Sequence, residues 1–292
     1  MKIVLLGKDG QLGTEFQQFL PILGETLAFG RNELDLTDLK LVQDRLMEIK
    51  PDLIVNAAAY TNVDLAETEI EAAMRVNAEL PGAIAETAAS NRAAFVHFST
   101  DYVFDGRSTI PYTENDITAP INIYGHSKLQ GEENVEKAGG AYLVLRTSWV
   151  YGNSNQNFVN KVLAWSRKNE IVRVVDDQIS CPTWARTLAA TVTIALGRLS
   201  GNIFEEIHLK RGVFHVAGSG HTSRYEWAKQ ILLDDPNQEE QVIERLDPVS
   251  SLEFPTPAIR PLFSALDSSY FQKTFDVLVP AWQTTLQLAL RR

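Results

Sequence analysis

The stretch Lys2-Ile3-Val4-Leu5-Leu6-Gly7-Lys8-Asp9-Gly10-Gln11-Leu12-Gly13 decides the fold. Its unbroken apolar run reads as a strand buried on both faces. The glycines then open a helix whose inner face carries Leu12, Phe16 and Phe19. In that setting Gly7 permits a tight turn, Gly10 lets the backbone approach a pyrophosphate, and Gly13 allows the helix to pack closely on the strand. Gln11 and Leu12 stand in the first helical turn, where free N–H groups and a partial positive charge favour a phosphate. The loop points to a dinucleotide. Its G-x-x-G-x-x-G spacing departs from the commoner G-x-G-x-x-G, and a glycine turn between strand and helix also has purely structural uses.

Working outward, a second apolar run, Leu27–Phe29, ends in Gly30-Arg31 with no acid to hold a ribose 2′-hydroxyl. Arg31 suits a 2′-phosphate through its planar fork, or else is a solvated surface arginine. The first alternative favours NADPH, with NADH possible. Asp35 and Leu36 either frame the adenine or merely precede a helix. Thr37 is the expected cap of that helix, on which Leu39, Val42, Leu46 and Ile49 recur, and Pro51 ends it. LIVN at 53–56, AFVHFS at 94–99 and AYLVLR at 141–146 are further strand-like runs. The Ala-rich segment 69–90 is helical in tendency, with an interruption expected near Pro81-Gly82. Such alternation predicts an α/β fold: a Rossmann-type doubly wound parallel sheet. After Tyr151 the rhythm changes. Runs at 171–175 and 213–217 remain, Pro248, Pro255, Pro257 and Pro261 break up a loop-rich segment, and Pro280 opens a terminal helix. The expected organisation is a dinucleotide-binding domain over 1–150 and a smaller, more irregular substrate domain over most of 151–292. The segment at about 184–200 is expected to pack back onto the first.

Composition narrows the classes. The chain has 292 residues, with 27 Lys+Arg against 37 Asp+Glu, a net charge of −10. That balance argues against nucleic-acid binding, which runs on surplus positive charge. The single cysteine, Cys181, excludes an internal disulfide and a cysteine-based zinc site. No apolar run is long enough to span a membrane, and the first residues hold too short a run for a signal peptide. A cytoplasmic protein without nucleic-acid or membrane partners is expected.

Tyr124-Gly125-His126-Ser127-Lys128 is a Y-x-x-x-K. On a helix its two ends share a face, and an ammonium beside a phenol lowers the phenol's pKa. The spacing alone is weak, because Tyr225-Glu226-Trp227-Ala228-Lys229 repeats it. That second copy follows Ser223, a suitable helix cap, and reads as an amphipathic face. The first copy is preceded by a strand ending Phe98-Ser99-Thr100-Asp101, which can present a hydroxyl beside it.

Together with IVNAAAYTNVDLAE at 54–67, VHFSTDYVFDG at 96–106, PINIYGHSKLQGE at 120–132, RTSWVYG at 146–152, VVDDQISCPT at 174–183 and TPAIRP at 256–261, these motifs resemble the extended short-chain dehydrogenase/reductase superfamily. Within it they resemble the dTDP-4-dehydrorhamnose reductase family. The resemblance implies hydride transfer from a reduced nicotinamide to the C4 ketone of a sugar nucleotide. It implies Tyr124 as proton donor, Lys128 lowering its pKa and binding the nicotinamide ribose, and Thr100 bonding near the same oxygen. Ala59, Tyr60 and Thr61 line the cofactor. Asp101 and Trp149 touch the sugar, although Trp149 is also a plausible core residue and Thr100 a plausible satisfied strand-end hydroxyl. Asn157, Phe158, Asp177, Gln178 and Arg260 are candidates for the nucleotide side. Some relatives hold magnesium at a subunit contact through acids. Glu15 fits that role, but Arg186 and the terminal Arg292 stand where further acids belong, so no metal is expected. Two other readings stay open: a sugar-nucleotide epimerase or dehydratase on the same scaffold, and a non-catalytic regulatory subunit. The oligomeric expectation is a monomer or homodimer.

Overall fold

Five parallel strands carry the first half of the chain: β1 (Lys2–Leu6), β2 (Glu25–Phe29), β3 (Leu53–Asn56), β4 (Ala94–Thr100) and β5 (Ala141–Thr147). The computed structural model describes residues 1–152 and 157–291. Four short strands follow, β6 (Val150–Tyr151), β7 (Ile171–Val175), β8 (Ile179–Ser180) and β9 (Thr183–Trp184). Then β10 (Gly212–His215) returns to complete a six-stranded sheet in the order β10-β5-β4-β3-β1-β2, parallel throughout.

The continuous apolar runs have a direct cause. Successive side chains point to opposite faces of a sheet, and both faces here are covered. Ile3 and Leu5 of β1 enter one core while Val4 and Leu6 enter the other. On β5, Ala141, Leu143 and Leu145 alternate in the same way with Tyr142 and Val144. Helix α1 (Gln11–Phe19) covers the first face with Leu12 and Phe16, and α2 (Leu39–Ile49) covers the second with Val42, Leu46 and Ile49. After the short α3 (Val63–Ala66) and α4 (Ile70–Met74), helices α5 (Leu80–Asn91) and α6 (Ile123–Ala138) complete the second face.

Beyond residue 151 the chain serves two cores. Helices α7 (Phe158–Ser166), α10 (Arg224–Asp234) and α12 (Trp282–Leu290) gather Val159, Trp227 and Leu286 around Tyr151 and Trp184. Helices α8 (Ala185–Gly197), α9 (Ile203–Lys210) and α11 (Ser269–Phe275) instead fill the first sheet core with Leu188, Ile207 and Phe271.

Two local expectations are corrected. Asp38, not Thr37, caps α2: its carboxylate accepts from the Leu41 N–H at 3.0 Å, while the Thr37 hydroxyl is drawn to Asp35 at 2.7 Å. Pro81 and Gly82 do not interrupt their helix. Pro81 sits inside a helical run that continues over 70–91, directly after the π-helical turn that accommodates its missing N–H. The irregularity lies earlier, in that turn at Arg75–Glu79.

Candidate active site

The chain passes from β1 to β2 on one side and then crosses back to β3 on the other side of β1. A crevice therefore opens at the carboxyl ends of β1 and β3, the place where such sheets bind ligands. Gly7 turns the chain there with φ +82°, and a Cβ on it would lie 2.6 Å from the Ala58 nitrogen. A Cβ on Gly13 would lie 2.0 Å from the Gly7 carbonyl oxygen, so helix and loop meet backbone to backbone. Gly10 differs: a Cβ there meets only that oxygen, at 3.4 Å. No side chain caps α1, and the buried Gln11 Oε1 has no partner among the described residues. These open donors, with an acceptor left over, fit a dinucleotide.

The reading of the second strand end needs correction. An acid does stand there. The turn after Gly30 brings Glu33 back, so its carboxylate accepts from the Gly30 N–H at 2.9 Å and from Lys8 Nζ at 2.5 Å. The Asp9 carboxylate also sits against Gly30. Arg31 is exposed at the same turn, and Asp35 accepts from the Thr37 N–H at 2.9 Å. Leu36 packs on the second core. Ala59 and Tyr60 are partly exposed and Thr61 exposed. Asn77 fixes their loop, accepting from the Tyr60 N–H at 2.8 Å and donating to the Tyr60 carbonyl at 3.0 Å and to Ser127 Oγ at 3.0 Å.

Thr100 ends β4 and caps a 3-10 turn, accepting from the Tyr102 N–H at 3.2 Å. Asn122 caps α6 through the Gly125 N–H at 2.8 Å. Tyr124, in the first turn of α6, lies close enough to Thr100 for that hydroxyl to affect its ionisation, and meets the Tyr102 ring edge-on at 5.8 Å. One helical turn on, Lys128 is 1% exposed. Its Nζ donates to the Phe98 carbonyl at 2.6 Å and lies 3.4 Å from His97 Nε2. Tyr124, Lys128 and Thr100 thus converge.

Their electrostatics differ from the expectation that Lys128 lowers the Tyr124 pKa. Burial pushes the Tyr124 phenol well above its usual 10, with the Thr100 hydroxyl opposing and the Asp101 charge adding to the rise. Burial also draws Lys128 down to about 8, against the pull of Glu132. The phenol is therefore a protonated donor at neutral pH in this state.

Asp101 is likewise corrected. It faces inward, 2% exposed, and accepts from Thr100 at 3.1 Å, Ser180 at 3.0 Å and Ser264 at 2.5 Å. Burial raises its pKa to about 6, the three hydroxyls opposing. Asn157, expected on the nucleotide side, caps α7 through the Asn160 N–H at 3.0 Å and donates to the Gly152 carbonyl at 2.6 Å. Asp177 is bound to Ser250 and Ser251, and Phe158 packs on Trp227 at 4.8 Å.

Trp149 stays partly exposed with a left-handed φ of +40°, stacked on Trp227 at 5.4 Å. The Arg224 guanidinium lies 4.2 Å from the Trp149 ring centroid, and its Nε donates to Gln178 Oε1 at 3.2 Å. Arg260 pairs with Asp64 at 2.7 Å. The charges of both arginines act on the buried Tyr102 phenol, so two cations stand near it, one of them, Arg224, against Trp149. Arg224 escaped the sequence reading because it opens the helix of the second Y-x-x-x-K. That copy is a surface face: Lys229 is exposed and 3.5 Å from Glu226. Glu15 lies 3.6 Å from Arg186, a cation rather than a second acid, and Arg292 lies outside the described residues.

Comparison with known proteins extends this geometry. The profile of the family described as RmlD substrate binding domain matches residues 1–292. A dTDP-4-dehydrorhamnose reductase of Burkholderia thailandensis is 36% identical, covering 100% of this chain and 98% of that protein. The Escherichia coli protein of the same name is 37% identical over 99% of this chain and 97% of its own length. The crystal structure of the Bacillus anthracis dTDP-4-dehydrorhamnose reductase in complex with NADP superposes with a TM-score of 0.88 at 33% identity, covering 99% of this chain and 98% of that one.

Proposed function

The chain belongs to the RmlD substrate binding domain family, and from that premise we propose that it is an NADPH-dependent oxidoreductase. It reduces the C4 ketone of dTDP-4-dehydro-L-rhamnose to dTDP-L-rhamnose. The observation that carries this is the convergence of Thr100, Tyr124 and Lys128 at the carboxyl end of β4, beside the glycine turn. A bound reduced nicotinamide supplies the hydride. Gly7, Gly10 and the first turn of α1 hold its pyrophosphate, and Arg31 and Lys8 stand at the 2′ end. Tyr124, kept protonated by burial, gives its proton to the ketone oxygen, and Thr100 orients that phenol. Arg224 and Arg260 suit the diphosphate of the sugar nucleotide, and Trp149 offers the sugar an apolar face. Asp101 acts behind Thr100.

We extend this to location and organisation. No helix among the described residues is long and apolar enough to cross a membrane, and the reaction uses soluble metabolites, so a cytoplasmic enzyme, monomeric or homodimeric, is proposed. Residues 1–150 form its cofactor half, and most of 151–292 its substrate half. The test mixes purified protein, NADPH and the keto-sugar nucleotide. Loss of nicotinamide absorbance, one NADPH per sugar, is expected. Sugar conversion without net oxidation makes it an epimerase or dehydratase. No conversion overturns the enzyme reading.

A further inference from the structure

Behind the proposed proton donor lies a buried chain of polar groups whose hydrogen positions can be worked out from one end. Asn56, His97 and Lys128 are all at most 1% exposed. The Ala58 backbone N–H donates to Asn56 Oδ1 at 3.1 Å. A backbone N–H has no other role, so this contact fixes the amide: its oxygen faces Ala58 and its NH₂ faces the imidazole. Asn56 Nδ2 lies 3.2 Å from His97 Nδ1. An amide NH₂ only donates, so Nδ1 must be the bare, accepting nitrogen. The proton of a neutral imidazole then sits on Nε2. That nitrogen faces Lys128 Nζ at 3.4 Å. An ammonium has three hydrogens and no lone pair, and cannot accept from an N–H. A neutral amine can.

We propose that His97 is a positioning residue that holds Lys128 as a neutral amine in the cofactor-free protein, the amine accepting from His97 Nε2–H and donating to the Phe98 carbonyl. This rests on the reading of Lys128 as partner of Tyr124, and adds the lysine's charge state and what sets it. The surroundings agree. Burial holds His97 well below the usual histidine range, so it stays neutral whatever the charge on Lys128. The other charges facing Lys128 are Glu132, one turn along α6, and beyond it Arg146 on β5. Glu132 favours the ammonium, but its carboxylate is already held by Arg146 at 2.7 Å and by Ser99. Tyr124, on the same helix face, is uncharged. Burial takes Lys128 down to about 8 even against the pull of Glu132, and accepting from the His97 N–H favours the neutral amine further. The hydroxyl oxygens of a nicotinamide ribose accept hydrogen bonds and so favour the ammonium. Lys128 then gains its charge when the cofactor arrives, taking a proton from the buffer.

The experiment is nuclear magnetic resonance on cofactor-free protein labelled at histidine nitrogens and lysine ε-carbons, with Lys128→Met assigning the signal. Expected are a His97 with bare Nδ1 and protonated Nε2 from pH 6 to 9, and a Lys128 carbon titrating below pH 8. In His97→Gln, whose side-chain oxygen can accept from an ammonium, the midpoint moves up by at least one unit, a tenfold change in proton affinity. Calorimetry of NADP binding at pH 8 in buffers of different ionisation enthalpy should show proton uptake in the wild type and less in Lys128→Met. An Nδ1-protonated His97, or a wild-type Lys128 that remains ammonium above pH 9, overturns the proposal. The tautomer needs no variant, so a misfolded His97→Gln leaves the test standing. Every readout is taken without sugar substrate, so failure here and failure of the reductase reading are separate results.

Discussion

The carbonyl oxygen of Tyr102 lies 2.2 Å from the point where Gly125 would carry a Cβ. The first turn of α6 is pressed onto the turn that follows β4, and this brings Tyr124 to Thr100. Gly125→Ala must push two backbones apart. Overpacking of this kind costs about 1–3 kcal/mol, and it separates the donor from its hydroxyl partner. A lowered Tm together with a fall in kcat of at least about tenfold, at unchanged NADP affinity, is expected. Normal kcat in a destabilised protein refutes the positional role.

Tyr124→Phe keeps the ring and removes the proton. Turnover should fall by about 10²–10⁴-fold, the usual contribution of a positioned general acid, with NADP affinity retained. Tyr225→Phe, in the second copy of the motif, should leave kcat untouched. Steady-state kinetics of the two variants side by side decide which copy is chemical.

At the 2′ end of the cofactor site, charges of both signs compete. Arg31→Ala should raise KM for NADPH about 10–100-fold while leaving NADH nearly alone, since a charge-assisted contact is worth ~1.5–3 kcal/mol. Glu33→Gln should act the other way, freeing Lys8 and tilting the kcat/KM ratio toward NADPH. Equal effects on both cofactors would show that neither residue senses the phosphate.

The pH dependence of stability should carry the mark of Asp101. Its pKa is raised from 3.8 to about 6 in the folded chain. Between those values the folded state keeps a proton that the unfolded state has lost. This carboxyl's contribution therefore falls as pH rises from about 4 to 6, then levels off, by up to about 3 kcal/mol. Asp101→Asn removes the slope. Urea unfolding of both proteins from pH 4 to 7 gives the comparison, and parallel curves would contradict the assignment.

What the sequence reveals and what it hides follow from the range of the interactions. The sheet is legible because the runs at 3–6, 53–55 and 141–145 are apolar without a break. The glycine loop is legible because a turn is a local event. Tyr124 and Lys128 share one helix face, which is local too. Glu33 is hidden because it acts only after the chain folds back on Gly30. Asp101 reads as a sugar contact, and its burial is hidden until Ser180 and Ser264, distant in sequence, close over it. Arg224 and His97 gain meaning only through Trp149, Asn56 and Lys128, which lie on other elements.

The return of β10 makes the two halves of the chain mutually dependent. All seven residues of β5 are buried, and β10 occupies its outer edge. A chain cut after residue 150 would leave that edge bare and strip α8, α9 and α11 from one face of the sheet. An unpaired apolar edge is a template for pairing with other chains. The cofactor half would therefore aggregate when made alone, and evolution could not have exchanged the substrate half as a detachable cassette without also replacing the sheet's last strand.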